Sequence, residues 1–249
     1  MLRINLISGP RNLSTAMMYS FAQRPRTRVL DEPYYALYLV KSGVQHPGRD
    51  EVLASLPQTE AEVDTLIFED TGHDTLFIKN MAHHIEVLNE EFKPGLTSVF
   101  LIRNPRHVIA SYARVMTNPV MRDIGIEFQY HLYERMRGAD GTPPVVVDSG
   151  LLLRDPRTVL TALCDHLGIP FYENMLTWPP GPKPYDGVWA PYWYANVHQS
   201  QGFSQPSDEN PDIPSHLEDL CYKATDYYQK LLAFAINPHK HVAKIRPTK

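Results

Sequence analysis

Short apolar runs alternate with helix-like segments along most of the chain. The runs are rich in Val, Ile and Leu, as is typical of strands buried on both faces of a parallel sheet. We predict strands at Ile4–Ile7, Arg28–Leu30, Thr75–Ile78, Ser98–Ile102 and Val145–Val147. Apolar residues at three- and four-residue spacings predict helices at Ser14–Gln23, Glu60–Phe68, Pro105–Met116, Glu127–Arg137 and Pro156–Leu167. This alternation predicts an α/β fold of three layers, with a mainly parallel central sheet flanked by helices.

The chain length is that of one large α/β domain, so we expect residues 1–249 to form a single domain. The stretch 178–214 is rich in Pro, Gly, Tyr, Trp and Ser without a sustained period, which predicts a loop or lid. A last helix at about Leu217–Phe234 begins a C-terminal region, 217–249, that ends in a Lys-rich tail. We expect the tail, Lys240–Lys249, to be mobile.

Charge and composition argue against several classes of partner. The formal net charge is −4 and no long Lys/Arg run occurs, so we expect neither nucleic acid nor a membrane as a partner. No window approaches the length of a bilayer span, and the first residues lack the pattern of a secretory signal. The two cysteines cannot build a disulfide framework. We expect a cytoplasmic monomer or homodimer.

The segment between the first strand and the first helix has the plan of a phosphate-binding turn. It reads Ser-Gly-Pro-Arg-Asn-Leu-Ser-Thr over 8–15. Backbone N–H groups at a helix start, the Arg11 guanidinium and the Ser14 and Thr15 hydroxyls can converge there on one anion. The pattern G-x-x-x-x-G-K-S/T is absent, which disfavours ATP hydrolysis. Ser14 is the expected N-cap, and capping a helix is the alternative role for this segment.

A second anion site is predicted where the fourth strand ends. Arg103 follows that strand, and Ser111 lies two turns along the next helix. The carboxyl ends of parallel strands are where such sheets bind ligands, and a planar guanidinium suits phosphate. Asn104-Pro105 and Asp155-Pro156 each predict an N-cap followed by a first-turn proline.

Together these elements resemble the P-loop-like sulfotransferase family. Its members bind the donor's 5′-phosphosulfate with a loop beginning Pro-Lys/Arg-Ser-Gly-Thr/Ser-Thr, which Pro10–Thr15 resembles. An Arg-Asn-Pro with a Ser eight residues on binds the donor's 3′-phosphate, and Arg103–Pro105 with Ser111 is similar to it. A lysine about two dozen residues before that arginine is matched by Lys79.

The resemblance implies a P-loop NTPase-like sulfotransferase fold and transfer of a sulfuryl group from 3′-phosphoadenosine 5′-phosphosulfate (PAPS) to a hydroxyl or amine of a small-molecule acceptor. Ser200–Phe203 resembles the loop that closes over the nucleotide, and Arg11 and Arg103 are expected at its opposite ends. The implied donor-binding residues are Pro10, Arg11, Asn12, Leu13, Ser14, Thr15, Arg103, Ser111, Ser200 and Gly202. Asn12-Leu13 replace the usual Ser-Gly and a closing Arg-Lys-Gly motif is missing, so altered or lost donor binding stays open.

The catalytic residues implied are Lys79, which would stabilise the leaving phosphate, and a base. Glu32, which follows the second strand, is the favoured base, and His83 or His84 is the alternative. A helix-capping or surface role for Glu32 stays open.

Aromatic residues of 178–214 either line an acceptor pocket or pack on the core, and Asp186 and His198 are candidate acceptor contacts. No metal-ligand spacing occurs among the histidines, so we expect no metal. The competing functions are a nucleotide-dependent kinase or phosphoryl transferase, and a non-catalytic nucleotide-binding relative.

Overall fold

A parallel sheet forms the centre of the protein. The computed structural model describes residues 1–69, 72–89, 93–138, 143–205 and 210–237. The strands are β1 (Leu2–Ser8), β2 (Thr27–Asp31), β3 (Thr75–Met81), β4 (Thr97–Ile102) and β5 (Val145–Asp148). They pair in parallel in the order β2-β3-β1-β4-β5. The predicted fold is confirmed, and each strand extends beyond its predicted core.

Helices cover both faces of this sheet. The α-helices are α1 (Ser14–Ala22), α2 (Tyr35–Ser42), α3 (Arg49–Ser55), α4 (Glu60–Phe68), α5 (Ala82–Ile85), α6 (Pro105–Tyr112), α7 (Met121–Ile124), α8 (Ile126–Gly138), α9 (Ser149–Arg154), α10 (Pro156–His166), α11 (Ala190–Trp193), α12 (Ala195–His198) and α13 (Glu218–Leu232). Short 3₁₀ turns lie at Glu173–Leu176 and Ser215–Leu217. Each predicted helix forms. The sequence patterns missed α2 because its first six residues, 35–40, are all apolar, so no polar position marks a helical period before Lys41.

Alternating strand residues supply the two main cores. On one face, Ile4 and Leu6 of β1 pack with α1, α9 and α10; on the other, Ile7 packs with α6, α8 and α13. Because successive side chains of a strand point to opposite faces, a strand in the middle of three layers must be apolar on both. This explains the near-continuous apolar runs of the sequence.

Two of the three predicted helix caps form. Asn104 accepts a hydrogen bond from the Arg106 N–H at 3.0 Å, and Asp155 accepts one from the Thr158 N–H at 3.1 Å. The prediction that Ser14 is the N-cap of α1 is wrong. Ser14 is the first helical residue, and Leu13 occupies the cap position in a left-handed conformation without a side-chain cap.

The segment 178–203 contains the two single-turn helices α11 and α12, where the sequence pattern predicted only loop. Trp178, Trp189 and Tyr194 are buried, whereas Tyr192 is half exposed. Residues 206–209 of the predicted lid and residues 238–249 of the C-terminal tail lie outside the described residues. Among the helices that the structure describes, none combines the length and the apolar character needed to cross a membrane.

Candidate active site

The principal cavity opens at the carboxyl edge of the sheet. Its volume is about 1000 Å³, at the upper end of the range for small-molecule sites. The chain leaves β1 toward β2 on one side and β4 toward β5 on the other, so a crevice forms between the carboxyl ends of β1 and β4. Every predicted donor-binding and catalytic residue lines this cavity: Pro10, Arg11, Asn12, Leu13, Ser14, Thr15, Glu32, Lys79, His83, Arg103, Ser111, Ser200 and Gly202.

Strained backbone surrounds the cavity. Arg11, Leu13 and Glu32 have φ angles of 59°, 68° and 46°, a left-handed region that is costly for residues other than glycine. Leu13 stands where the resembled loop has glycine, and it adopts a conformation that glycine favours. Helix α1 begins directly after this turn, and its first residues, Ser14, Thr15 and Ala16, line the cavity.

Asn12 fixes the loop to the neighbouring strand. Its side chain is buried, and Nδ2 donates to the Leu101 carbonyl at 3.1 Å. The Ser149 hydroxyl lies 2.8 Å from the carbonyl oxygens of both Asn12 and Ile102. The Asn12 side chain therefore holds the loop in place, and its backbone is the part that faces a ligand.

Replacement of Asn12 by alanine is expected to lower the free energy of unfolding by about 1 kcal/mol, because one buried hydrogen bond is lost. For a domain of this size that is a fall in Tm of about 2–4 °C, measured by thermal denaturation. Asn118→Ala, at an exposed position, is the control. Equal stability of the two variants would show that Asn12 does not anchor the loop.

Arg11, Arg103 and Ser111 form a cationic cluster at one end of the cavity. Arg11 Nε donates to Ser111 Oγ at 2.9 Å, and Arg103 Nη1 donates to the Arg11 carbonyl at 2.7 Å. Burial and the adjacent Arg11 charge lower the pKa of Arg103, and burial and Arg114 lower the pKa of Arg11. Within the described residues neither guanidinium has a carboxylate partner at salt-bridge distance. The Asp148 charge opposes the fall in the pKa of Arg103 without forming a salt bridge to it, so two neighbouring, partly desolvated cations favour a bound anion.

The two arginines were expected at opposite ends of a nucleotide, but they lie side by side. The sequence could not show this, because the direction of the Arg11 side chain depends on the left-handed turn at Arg11 itself.

Lys79 lies in a second cluster of the cavity wall and is fully buried at the end of β3. Its Nζ donates to Asp31 Oδ1 at 2.8 Å, to Glu32 Oε1 at 2.6 Å and to the Tyr194 hydroxyl at 2.5 Å. These bonds use all the ammonium protons. Sequence reasoning missed Asp31, although it directly precedes Glu32 at the end of β2. It named Tyr194 only as one of the aromatic residues that could line an acceptor pocket, not as a partner of Lys79.

Glu32 accepts fewer hydrogen bonds than the neighbouring residue Asp31. The Glu32 backbone N–H donates to the Lys79 carbonyl at 2.8 Å, which places the residue beside β3. Oε2 lies 3.7 Å from His84 Nδ1. Burial raises the pKa of Glu32 to about 7, and the nearby Lys79 charge opposes that rise. A carboxyl that titrates near neutral pH at a cavity wall is suited to exchange protons.

The histidines beside Glu32 are neutral. Burial lowers the pKa of His83 to about 3 and holds that of His84 well below its usual value. His84 stacks on Tyr35 with ring centroids 4.5 Å apart, and the Tyr35 hydroxyl is hydrogen-bonded to His46 Nδ1 at 2.8 Å. This end of the cavity therefore offers flat, uncharged surfaces.

Ser200 and Gly202, which were predicted in the loop that closes over the nucleotide, have close contacts within the protein. The Ser200 hydroxyl donates to the Val197 carbonyl at 2.7 Å and accepts from Trp178 Nε1 at 3.1 Å. A Cβ on Gly202 would come within 2.8 Å of the Leu176 carbonyl oxygen, so a side chain there would displace the segment from the core.

Asp186 and His198 do not line the cavity. Asp186 accepts from the Tyr19 hydroxyl at 2.7 Å and lies 3.0 Å from His198 Nε2, so the pair ties the segment 178–203 to α1.

In the part of the chain that the structure describes, no group of three or more His, Cys, Asp or Glu side chains is arranged to hold a metal ion. Asp31 and Glu32 both accept from Lys79 Nζ, and Asp148, another acid of the cavity wall, accepts from the Leu151 N–H and the Tyr228 hydroxyl.

Two Arabidopsis thaliana proteins are similar to this chain. They are branched-chain-amino-acid aminotransferase-like proteins 1 and 2, which are 39% identical over 226 residues and 36% identical over 230 residues. The matches cover 90% and 92% of this chain but only 40% and 41% of those proteins. The chain thus spans about two fifths of the length of the curated relatives it matches.

Solved structures show the same fold. The sulfotransferase domain from the *Synechococcus* PCC 7002 olefin synthase superposes with a TM-score of 0.61 at 20% identity, covering 92% of this chain and 94% of that one. The sulfotransferase domain from the curacin biosynthetic pathway gives 0.51 at 16% identity, covering 94% and 98%. A family model described as a sulfotransferase domain matches residues 2–235. The chain therefore belongs to the sulfotransferase domain family.

Proposed function

We propose that the protein transfers a sulfuryl group from PAPS to a hydroxyl or amine of a small-molecule acceptor. The observation that carries this proposal is one cavity with two unlike clusters: the unpaired guanidinium groups of Arg11 and Arg103, and the Glu32–Lys79 pair. The first suits a phosphate, and the second suits proton transfer during attack on sulfur. Membership of the sulfotransferase domain family supports the same chemistry.

In this proposal Arg11, Arg103 and Ser111 bind the 3′-phosphate of the donor. The loop 10–15 and the start of α1 bind the 5′-phosphosulfate through backbone N–H groups and the hydroxyls of Ser14 and Thr15. The family resemblance assigned Arg11 to the 5′ end. The Arg11–Ser111 hydrogen bond supports its assignment to the 3′-phosphate instead.

Glu32 is the proposed base. The acceptor oxygen or nitrogen forms a bond to sulfur as the bond from sulfur to the bridging oxygen breaks, and the leaving adenosine 3′,5′-bisphosphate keeps the electron pair. The acceptor proton passes to Glu32, whose pKa of about 7 suits it to this task better than His83 with about 3. Once Glu32 is protonated its hold on Lys79 weakens, so a Lys79 proton becomes available to the phosphate oxygen that gains charge.

Thermal-shift measurements on the protein without magnesium test the donor assignment. We expect adenosine 3′,5′-bisphosphate at about 100 times its Kd to raise Tm by roughly 5–10 °C. Adenosine 5′-monophosphate, which lacks the 3′-phosphate, should have a smaller effect because it leaves Arg103 unpaired. Stabilisation only by ATP with magnesium, and not by adenosine 3′,5′-bisphosphate, would favour a phosphoryl transferase instead.

Turnover needs its own measurement. We expect incubation with isotopically labelled PAPS and a mixed library of alcohols, phenols and amines to yield products with one added sulfuryl group in mass spectrometry. Tight binding of the bisphosphate without any sulfated product would identify a non-catalytic nucleotide-binding protein.

A further inference from the structure

A buried network connects the segment 178–203 to the proposed base. Tyr194 is the residue between α11 and α12. Its hydroxyl donates to the Asp31 carboxylate, at 2.9 Å from Oδ1 and 2.8 Å from Oδ2. It accepts hydrogen bonds from Lys79 Nζ and from Trp189 Nε1, the latter at 3.1 Å. One proton donated and two lone pairs used complete the bonding capacity of a tyrosine hydroxyl.

The two carboxylates beside Lys79 have different surroundings. Asp31 accepts from Lys79, from Tyr194 and from the Gly187 N–H at 3.0 Å, and it does not line the principal cavity. Glu32 lines the cavity and accepts a hydrogen bond from Lys79 Nζ at 2.6 Å. Asp31 is therefore the fixed counterion of the lysine, and Glu32 is the carboxylate free to exchange a proton.

We propose that Asp31 and Tyr194 are positioning residues, which hold the Lys79 ammonium beside Glu32 and so leave Glu32 as the carboxylate of this cluster that exchanges a proton. The proposal rests on the proposed function, because it assigns a purpose to the network around the proposed base. Asp31 does not line the cavity; Tyr194 lines it, but the bonds of its hydroxyl lie within the network, so neither residue is expected to bond to the donor or the acceptor.

Asp31 and Tyr194 have opposite effects on the pKa of Glu32, among the groups that face its carboxylate. Lys79 faces it from β3, Asp31 from β2, His84 from α5, Tyr35 from α2 and Tyr194 from the α11–α12 junction. The Asp31 charge raises the pKa of Glu32, whereas the Tyr194 hydroxyl, which donates to Asp31, lowers it. His84 and Tyr35 are uncharged near neutral pH because burial shifts the pKa of His84 downward and that of Tyr35 upward.

Carbon-13 NMR titration of the glutamate carboxyl groups tests the proposal on the ligand-free protein. The Glu32 signal is assigned by its loss in Glu32→Gln. We expect Tyr194→Phe to raise the titration midpoint of Glu32 by about one pH unit, because the neighbouring Asp31 charge then loses the hydroxyl proton that offsets it. Asp31→Asn should lower it by a similar amount, because a like charge is removed and Lys79 then pairs with Glu32 alone.

Tyr192→Phe is the matched control, since Tyr192 belongs to α11, is half exposed and does not line the cavity. The titration midpoint of Glu32 in Tyr192→Phe should equal that in the wild type. Shifts in the same direction for Tyr194→Phe and Asp31→Asn, or no shift in either, would overturn the proposal. If Asp31→Asn fails to fold, the direction of the Tyr194→Phe shift decides alone.

Kinetics separate this proposal from the proposed function. In Tyr194→Phe the acidic limb of kcat/KM should move with the NMR midpoint, while the Kd of adenosine 3′,5′-bisphosphate stays within about twofold of wild type. A wild-type protein that never transfers a sulfuryl group would remove the proposed function but leave the NMR result intact. A normal kinetic profile beside an unshifted midpoint would remove the positioning role alone.

Discussion

Replacement of Glu32 by glutamine is expected to lower kcat by about 100-fold or more while the affinity for adenosine 3′,5′-bisphosphate changes little. The amide keeps the size of the side chain but cannot take the acceptor proton, and general-base catalysis contributes about 10²–10⁴ in rate. Steady-state kinetics with a sulfated-product assay gives kcat, and calorimetry gives the Kd. Glu51→Gln, at an exposed position in α3, is the control.

The wild-type pH profile provides a second readout of the same residue. Burial disfavours the charged form of Glu32 and raises its pKa to about 7, so the carboxylate is available above that pH and protonated below it. We therefore expect kcat/KM to fall about tenfold for each pH unit below about 7. Glu32→Gln should lose this limb. Wild-type turnover or an unchanged limb in the variant would assign the base to His83 or His84.

Replacement of Arg103 by alanine is expected to weaken binding of adenosine 3′,5′-bisphosphate by about 1.5–3 kcal/mol, or about 10- to 100-fold in Kd. The cost is large because Arg103 is mostly buried and its charge, beside Arg11, has no carboxylate at salt-bridge distance among the described residues. Calorimetry without magnesium measures the change. The effect on adenosine 5′-monophosphate should be smaller, since that ligand carries no 3′-phosphate.

Arg106→Ala is the matched control for Arg103. Arg106 lies three positions along the chain, is exposed to solvent and pairs with Glu218 at 2.7 Å. An exposed ion pair contributes little, so its removal should leave the Kd of the bisphosphate near that of the wild type. An Arg103→Ala variant with the same Kd as Arg106→Ala would remove Arg103 from the proposed donor site.

The sequence predicted the sheet and the edge at which the cavity forms, because both follow from local patterns. Apolar runs such as Val145–Val147 predict strands buried on both faces, and all five strands form. Arg103 directly follows β4, and Lys79 lies near the end of β3. Parallel strands bring their carboxyl ends to the same edge of the sheet. Helix caps at Asn104 and Asp155 are equally local and were also predicted correctly.

Helix α2 and the cap of α1 were not predictable in the same way. Helix α2 is buried between other elements, so its sequence carries no polar face to reveal the helical period. Ser14 has the chemistry of an N-cap, but the left-handed Leu13 moves the helix start by one residue. Tertiary contacts of the loop, such as the Asn12 hydrogen bond to Leu101, support that strained conformation.

The sequence by itself determined the α/β fold, the two proposed anion-binding elements and the candidates Glu32, Lys79 and Arg103. These features depend on residue types at fixed spacings along the chain. The tertiary structure alone decided that Arg11 lies beside Arg103, that Asp31 and Glu32 share Lys79, and that Tyr194 completes their network from 115 residues beyond the lysine. Contacts over such separations depend on how the folded elements pack, and burial then sets the charge state of each group.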